Sequence, residues 1–208
     1  MAPSTATRAP RTAKGERTRD AILGHALALA TRIGVEGVTI GRLADDLKLS
    51  KSGLFAHFQS KESLQLQLLD HTRVRFIDMV IRPALAAPRG EPRVRELFRR
   101  WLDWDADGLP GGCLFVAASA EFDDQPGPVR DRLAQDQRDW MDTIAQVFRT
   151  GVAEGHFRPD ADPAQFAYDL HGVMLAYHHA SRLLEDPDAD VRATRAFEAL
   201  LLAARPAS

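Results

Sequence analysis

A Ser-Lys-Ser-Gly sequence begins at Ser50 and opens a short predicted helix. A lysine ammonium donates hydrogen bonds to O6 and N7 of guanine, and a serine hydroxyl both donates and accepts. Gly53 removes a side chain where the backbone must approach another surface. Such side chains at the exposed start of a helix favour contact with base edges in a DNA groove, the alternative being that Lys51 is an ordinary solvated lysine.

Two earlier helices are predicted to hold this one in place. Apolar residues at helical spacing indicate a first helix from Glu16 to Ile33, which glycines end. Thr39 is a suitable N-cap for a helix to Leu47, and Ser50 caps the next helix, Lys51 to about His57. Two short helices joined by a tight turn are typical of the helix-turn-helix that binds the major groove of duplex DNA.

The remainder of the chain keeps helical spacing, with proline and glycine between the apolar runs. The pattern predicts a fourth helix from Lys61 towards Pro83, then helices to the C-terminus; the last two cover Phe166 to Leu184 and Asp190 to Ala204. No alternating pattern indicates strands, so the fold class is all-α. We expect a disordered basic arm at 1–14, a three-helix helix-turn-helix domain at 15–60 and a larger helical domain at 61–208.

Charge and composition narrow the function classes. Residues 1–61 carry ten basic and five acidic side chains, whereas the remainder carries seventeen and twenty-four. A basic N-terminal block on an acidic body favours a polyanionic partner for that block. The single cysteine excludes an internal disulfide and favours a cytoplasmic location. The longest apolar run, 113–120, is too short to cross a membrane, and no signal peptide is apparent.

Catalysis has little support in the sequence. Cys113 precedes an apolar run, which is typical of buried packing, and GLPGG at 108–112 lacks the lysine and the strand of a phosphate-binding loop. His171 and His178 share one helical face, but a metal site would need further ligands. The sequence therefore predicts neither an enzyme nor a bound metal or cofactor.

The segment Thr39 to Leu64, TIGRLADDLKLSKSGLFAHFQSKESL, resembles the N-terminal domain of the TetR (tetracycline repressor) family of bacterial transcription regulators. The family pattern is met at Thr39, Ser50, Leu54, His57, Phe58, Ser60, Lys61, Glu62 and Leu64. Lys48 stands where the family usually has glycine, in the turn between the two helices. Phe55 stands where the family usually has tyrosine, so a hydroxyl contact to phosphate is lost.

The resemblance implies how this domain would contact duplex DNA. The residues that match phosphate contacts are Thr39, Ser50, His57 and Lys61. Lys51 and Ser52 would face base edges, and Phe55 could only pack against the sugar backbone. For His57, packing under the fourth helix is the alternative. Arm residues Arg8, Arg11 and Lys14 could add DNA contacts, unless the arm is disordered.

The second domain is predicted to dimerise and to bind an effector. One helix-turn-helix contacts too few bases for specificity, so we expect a homodimer on a near-palindromic operator. It would form through the eighth predicted helix, which carries Val129 to Phe148, and the ninth, Phe166 to Leu184, unless their apolar stripes only fill the core. Large adaptable side chains, many of which could be core, predict a cavity for a small apolar or amphipathic effector. They are Phe76, Met79, Phe98, Trp101, Phe115, Met141, Tyr168, His171, Met174, Tyr177 and His178.

These expectations describe a ligand-responsive repressor. Effector binding would shift the fourth helix, which starts at the DNA-facing Ser60 and Lys61 and ends near the candidate cavity at Phe76, and would release the operator. The alternative is a helical ligand- or partner-binding dimer that no longer binds DNA specifically.

Overall fold

The computed structural model describes residues 9–106 and 109–206, which contain helices and no strand, as the sequence predicted. The N-terminal part contains α1 (Ala9–Ile33), α2 (Ile40–Leu47) and α3 (Lys51–Phe58). The rest consists of α4 (Lys61–Phe76), a π turn (Ile77–Ile81), α5 (Arg82–Ala86), α6 (Glu91–Ala106), α7 (Leu114–Phe122), α8 (Pro128–Ala153), α9 (Pro163–Arg182) and α10 (Ala189–Ala204). Within the described residues, no helix is both long and apolar enough to span a bilayer.

Helix α1 begins earlier than the sequence predicted. The expected disordered arm covered residues 1–14, whereas α1 starts at Ala9 and contains residues 9–14. Alanine, arginine and lysine favour helix here, and Pro10 is tolerated because the amide hydrogen it lacks would have no partner in a first turn. Residues 1–8, and with them Arg8, lie outside the described part of the chain.

Side-chain caps start the short helices at the predicted positions. The hydroxyl oxygen of Thr39 accepts from the amide of Arg42 at 3.1 Å, and that of Ser50 accepts from the amide of Gly53 at 3.1 Å. Each cap satisfies an amide that has no partner within the helix. The caps therefore fix where α2 and α3 begin.

The turn between α2 and α3 places a lysine in the left-handed region. Lys48 has φ 54° and ψ 39°, and its amide donates to the carbonyls of Ala44 and Asp45. A Cβ costs about 1 kcal/mol in this conformation, whereas glycine adopts it without that cost. This is the position at which the TetR family usually has glycine.

We expect Lys48→Gly to stabilise the protein by up to about 1 kcal/mol, because glycine adopts this conformation without strain. Part of this gain is offset, because glycine also raises the conformational entropy of the unfolded chain. The midpoint of urea unfolding measures the change. Lys48→Ala is the control, because it removes the ammonium and keeps the Cβ, and it should leave the midpoint nearly unchanged. A glycine variant no more stable than the alanine variant would show that the turn carries no strain.

Pro83 does not end the fourth helical segment, contrary to expectation. Helix α4 continues through the π turn at Ile77–Ile81 into α5, and the amide of Arg82 donates to the carbonyl of Ile77, five residues back. The wider turn accommodates proline, which lacks an amide hydrogen and crowds the preceding turn of a regular helix. The continuous segment therefore leads from the helix-turn-helix domain deep into the second domain.

The second domain packs around α8, which contacts α4, α6, α7 and α9. Phe148 stacks on Phe166 with ring centroids 4.1 Å apart and on Phe157 at 4.4 Å. The apolar stripe of α8 is buried in this core, and none of its described large apolar side chains is exposed. Among the last three helices, the exposed large apolar side chains lie on α9 and α10, including Tyr168 and Leu202, each 70% exposed. The sequence predicted a dimer interface through the eighth and ninth helices, whereas the exposed apolar side chains of these last helices lie on the ninth and tenth.

Candidate nucleic-acid interface and ligand cavity

Helix α3 presents one face to solvent and buries the other. Leu54 and Phe58 are 1% and 0% exposed, and they pack in the core that also contains Leu43 and Ala44 of α2. Lys51 and Ser52 are exposed at the N-terminal end of α3. The two base-contacting candidates are therefore free to enter a groove while the opposite face of their helix is fixed.

The capping hydroxyls Thr39 and Ser50 are exposed beside this end of α3. Each oxygen accepts from a backbone amide, which leaves the hydroxyl hydrogen available for a donor bond to a phosphate oxygen. Ser52 donates to the oxygen of Ser50 at 3.4 Å. The caps can therefore shape the helix and contact phosphate at the same time.

The other candidate DNA-contacting residues are partly buried or already have a partner within the protein, or they expose an apolar ring. Lys61 donates from Nζ to Oε2 of Glu36 at 2.6 Å, and this hydrogen bond lowers the pKa of Glu36. A phosphate would therefore have to share that ammonium with the carboxylate. His57 is half-buried, with its ring centroid 6.1 Å from that of Phe58, and Phe55 is 53% exposed. Arg11 and Lys14 belong to α1.

A cavity of about 240 Å³ lies between α4, the π turn, α6, α7, α8 and α9. Its apolar wall includes the rings of Phe76, Trp101, Phe115 and Trp140. The Phe76 ring meets those of Trp140 and Phe115 edge to face, with centroids 5.0 Å and 6.0 Å apart. The polar part of the wall consists of Arg73, Asp136, Gln137, Asp139, Thr143 and His171. A few polar groups in an apolar cavity are typical of small-molecule sites.

Four of the eleven candidate effector residues line this cavity, namely Phe76, Trp101, Phe115 and His171. The structure places the other seven outside its wall. Met79 and Tyr168 are exposed, Met141 packs partly buried against the core, and Met174 is fully buried. Phe98 stacks on Phe197 at 4.2 Å, Tyr177 meets the edge of Trp101, and His178 donates from Nδ1 to Oδ1 of Asp105 at 2.6 Å. Helical spacing found mostly inward-facing residues, apart from Met79 and Tyr168, but could not separate core from cavity.

Cys113 also lines the cavity, and its thiol is buried. Burial raises the pKa of this thiol to about 11, so it is protonated at neutral pH and is a poor nucleophile. Burial also lowers the pKa of His171. Across residues 9–106 and 109–206, no group of three or more histidine, cysteine or acidic side chains is placed to hold a metal ion.

A junction between the two domains was not predicted. Glu121 of α7 accepts from the amides of Val35 at 2.8 Å and Glu36 at 2.6 Å, in the turn that follows α1. Gln65 of α4 donates to the carbonyl of Val35 and to the Glu36 carboxylate. The turn is thereby bonded to both α4 and α7. The only feature of the sequence that could have indicated this junction is an acidic residue, Glu121, near the end of an apolar helix.

The loop before α7 forms a second contact between the domains. The amide of Gly111 donates to the hydroxyl of Thr31 near the end of α1 at 3.1 Å. A Cβ on Gly111 would lie 1.7 Å from the Thr31 carbonyl oxygen, so only glycine allows this approach. Helix α7, whose Phe115 and Val116 line the cavity, and the loop before it therefore contact the helix-turn-helix domain at two places.

Comparison with known proteins agrees with this architecture. A family model for the tetracyclin repressor-like C-terminal domain matches residues 90–197, and one for bacterial regulatory proteins of the tetR family matches residues 22–68. The HTH-type transcriptional repressor KstR2 of Mycobacterium tuberculosis is 27% identical over 150 residues, which cover 69% of this chain and 71% of KstR2.

Two solved structures extend the comparison. A TetR regulator from Chloroflexus aurantiacus J-10-FL has a TM-score of 0.79 at 26% identity, over 91% of this chain and 94% of that one. AibR in complex with isovaleryl coenzyme A and operator DNA has a TM-score of 0.67 at 22% identity, over 85% and 96% of the two chains. More than half of the chain is matched by the C-terminal family model and the helix-turn-helix segment by the N-terminal one, so the chain belongs to the TetR family of transcriptional regulators.

Proposed function

We propose that this regulator is a repressor that binds a near-palindromic operator as a homodimer and leaves it when a small effector fills the cavity. The observation that carries the proposal is the N-terminal end of α3, where Lys51 and Ser52 are exposed and Leu54 anchors the opposite face. The similarity to the KstR2 repressor and to AibR, whose structure contains both a ligand and operator DNA, supports it.

We assign dimerisation to the α9–α10 face. A groove between these helices is lined mainly by small and apolar side chains, among them Gly172, Val173, Ala176, Ala193 and Ala196. Small residues let helices of two subunits approach closely, as in a four-helix interface across a two-fold axis. A second copy is the occupant that operator binding requires, because two recognition helices must meet one near-palindrome.

Ala176→Glu is expected to make the protein monomeric, because Ala176 is exposed within that groove and a carboxylate there would be buried twice in a symmetric interface. Sedimentation velocity measures the mass. Ala86→Glu, an exposed position on α5, is the matched control and should remain dimeric. A dimeric Ala176→Glu variant would exclude this face.

Two elements connect the cavity to the DNA-binding domain in this proposal. Helix α4 carries Phe76 in the cavity wall and Gln65 at the turn after α1. Helix α7 carries Phe115 in the wall and Glu121 at the same turn. A ligand that displaces either wall residue would move the turn that precedes α2, and the spacing of the two recognition helices would change. A coupling free energy of about 1–3 kcal/mol is sufficient for such regulation.

Binding to duplex DNA at increasing salt concentration tests the DNA-binding part of the proposal. Contacts from the basic block release counterions, so we expect the logarithm of the binding constant to fall linearly with the logarithm of the salt concentration. Fluorescence anisotropy of a labelled duplex measures this slope. Absence of binding at low salt would favour the alternative, a helical dimer that has lost DNA binding.

A further inference from the structure

The cavity wall contains a buried carboxylate whose ion pairs are longer than those of its neighbours. The Asp136 side chain is 4% exposed, and its nearest cationic atoms are Nε of Arg132 at 3.2 Å and Nε of Arg73 at 3.6 Å. Other ion pairs beside it are tighter: Arg73 binds Asp139 at 2.8 Å, and Arg132 is shared with Asp70. Burial raises the pKa of Asp136 against the effect of Arg132. Asp136 is therefore under-compensated in its ionised form.

The carboxylates lie on the same face of α8 as one of the aromatic walls. Asp139 and Trp140 lie three and four residues after Asp136, Thr143 lies three residues after Trp140, and all four line the cavity. Trp101, Phe76 and Phe115 complete the aromatic wall. The faces of aromatic rings attract cations, most strongly where water is excluded.

The charges of the wall disfavour an anionic ligand. Two carboxylates, Asp136 and Asp139, line the cavity against one cation, Arg73, which pairs with both. Arg132 lies outside the wall and also pairs with Asp136, but it is shared with Asp70, so the group holds three carboxylates against two guanidinium groups. His171 adds no positive charge at neutral pH, because burial lowers its pKa. An anion would meet the two carboxylates in a partly desolvated site, whereas a cation would complete the charge balance.

We propose that the cavity binds a compact organic cation, an ammonium group carried on an apolar or aromatic body. The ammonium lies against Asp136, and the body packs among the rings of Trp101, Phe115 and Trp140. The volume of about 240 Å³ lies just below the range of about 300–1,000 Å³ that is typical of ligand pockets, which fits a small ligand. This inference rests on the proposed effector role of the cavity, and it adds the chemical class of the effector.

Three probes of similar size and different charge test the proposal: 2-phenylethylammonium, 2-phenylethanol and phenylacetate. Binding to the full chain without DNA is followed by intrinsic fluorescence, because two of the three tryptophans line the cavity. We expect the cation to bind at least about tenfold more tightly than the neutral alcohol, and the anion to bind most weakly. Isothermal titration calorimetry gives an independent binding constant.

Variants of single residues test which side chains produce the preference for the cationic probe. Asp136→Asn should remove the preference for the cation and keep binding of the alcohol. Phe115→Leu, which keeps an apolar side chain without the ring, should weaken the cation more than the alcohol. Asp103→Asn is the control, because Asp103 is an exposed carboxylate paired with Arg99 and lies outside the cavity wall; it should bind the probes like the unmodified protein.

The proposal is overturned by equal or tighter binding of the alcohol or the anion, by no binding of any probe, or by a cation preference that persists in Asp136→Asn. Release of DNA is measured separately, with operator DNA and the tightest probe. Asp136-dependent cation binding without any effect on DNA would uphold the ligand class and contradict the effector role. DNA release by an uncharged or anionic compound would uphold the effector role of the cavity and contradict the ligand class.

Discussion

Replacing Lys51 and Ser52 together by alanine is expected to abolish operator-specific binding and to leave the fold, the dimer and ligand binding intact. Both side chains are exposed at the start of α3, and among the described hydrogen bonds and ion pairs their loss removes the 3.4 Å bond between Ser52 and Ser50. A specific base contact contributes about 1–3 kcal/mol, and a dimer loses each contact twice. The specific affinity should fall at least about a hundredfold, towards the non-specific level.

Competition between operator and random duplex at fixed salt measures this loss of specificity, with circular dichroism and thermal unfolding as checks on the fold. Arg82→Ala serves as the control, since it removes a positive charge from an exposed side chain on α5. Undiminished preference for the operator in the double variant would mean that α3 is not the recognition helix.

Glu121→Ala is expected to uncouple the cavity from the DNA-binding domain and to destabilise the protein. The substitution leaves the amides of Val35 and Glu36 without the carboxylate that binds both. Hydrogen bonds to a charged group contribute about 1.5–3 kcal/mol each, and the site is only partly buried, so we expect a loss of about 2–4 kcal/mol. Urea unfolding measures that loss.

Coupling is measured as the ratio of ligand affinities with and without operator DNA, a ratio that must equal the effect of ligand on DNA affinity. For Glu121→Gln, whose amide oxygen retains one acceptor, we expect a smaller loss of stability but a clear fall in this ratio. Asp124→Asn, an exposed acidic position just after α7, should change neither quantity. A Glu121→Gln variant with full coupling would show that the bonds of Glu121 to Val35 and Glu36 do not carry the coupling.

Local features of the fold were predictable because they depend on residues close in sequence. Thr39, Ser50 and Ser60 each cap the helix that follows, and each hydroxyl accepts from an amide three residues later. The departure at Lys48 was also visible, since a tight turn between these helices requires a left-handed residue. The exposed end of α3 follows from the same short segment.

Features set by the crossing of distant helices were not predictable. Helical spacing identified Phe98 and Met174 as inward-facing, but only the packing shows that they meet other side chains rather than the cavity. The bonds of Glu121 to Val35 and Glu36 span 86 and 85 residues, and no periodic pattern encodes them. The burial of the α8 stripe likewise depends on which helices surround it, and among the last three helices only α9 and α10 expose large apolar side chains.

Selection of bound duplexes from a random DNA pool by the full-length protein is the most direct test of operator recognition. The account predicts enrichment of an inverted repeat whose half-site centres lie about 10–10.5 base pairs apart, or a multiple of that distance, since two α3 helices must enter successive major grooves on one side of the duplex. Recovery at low salt of no common sequence, or of a single asymmetric site, would contradict it.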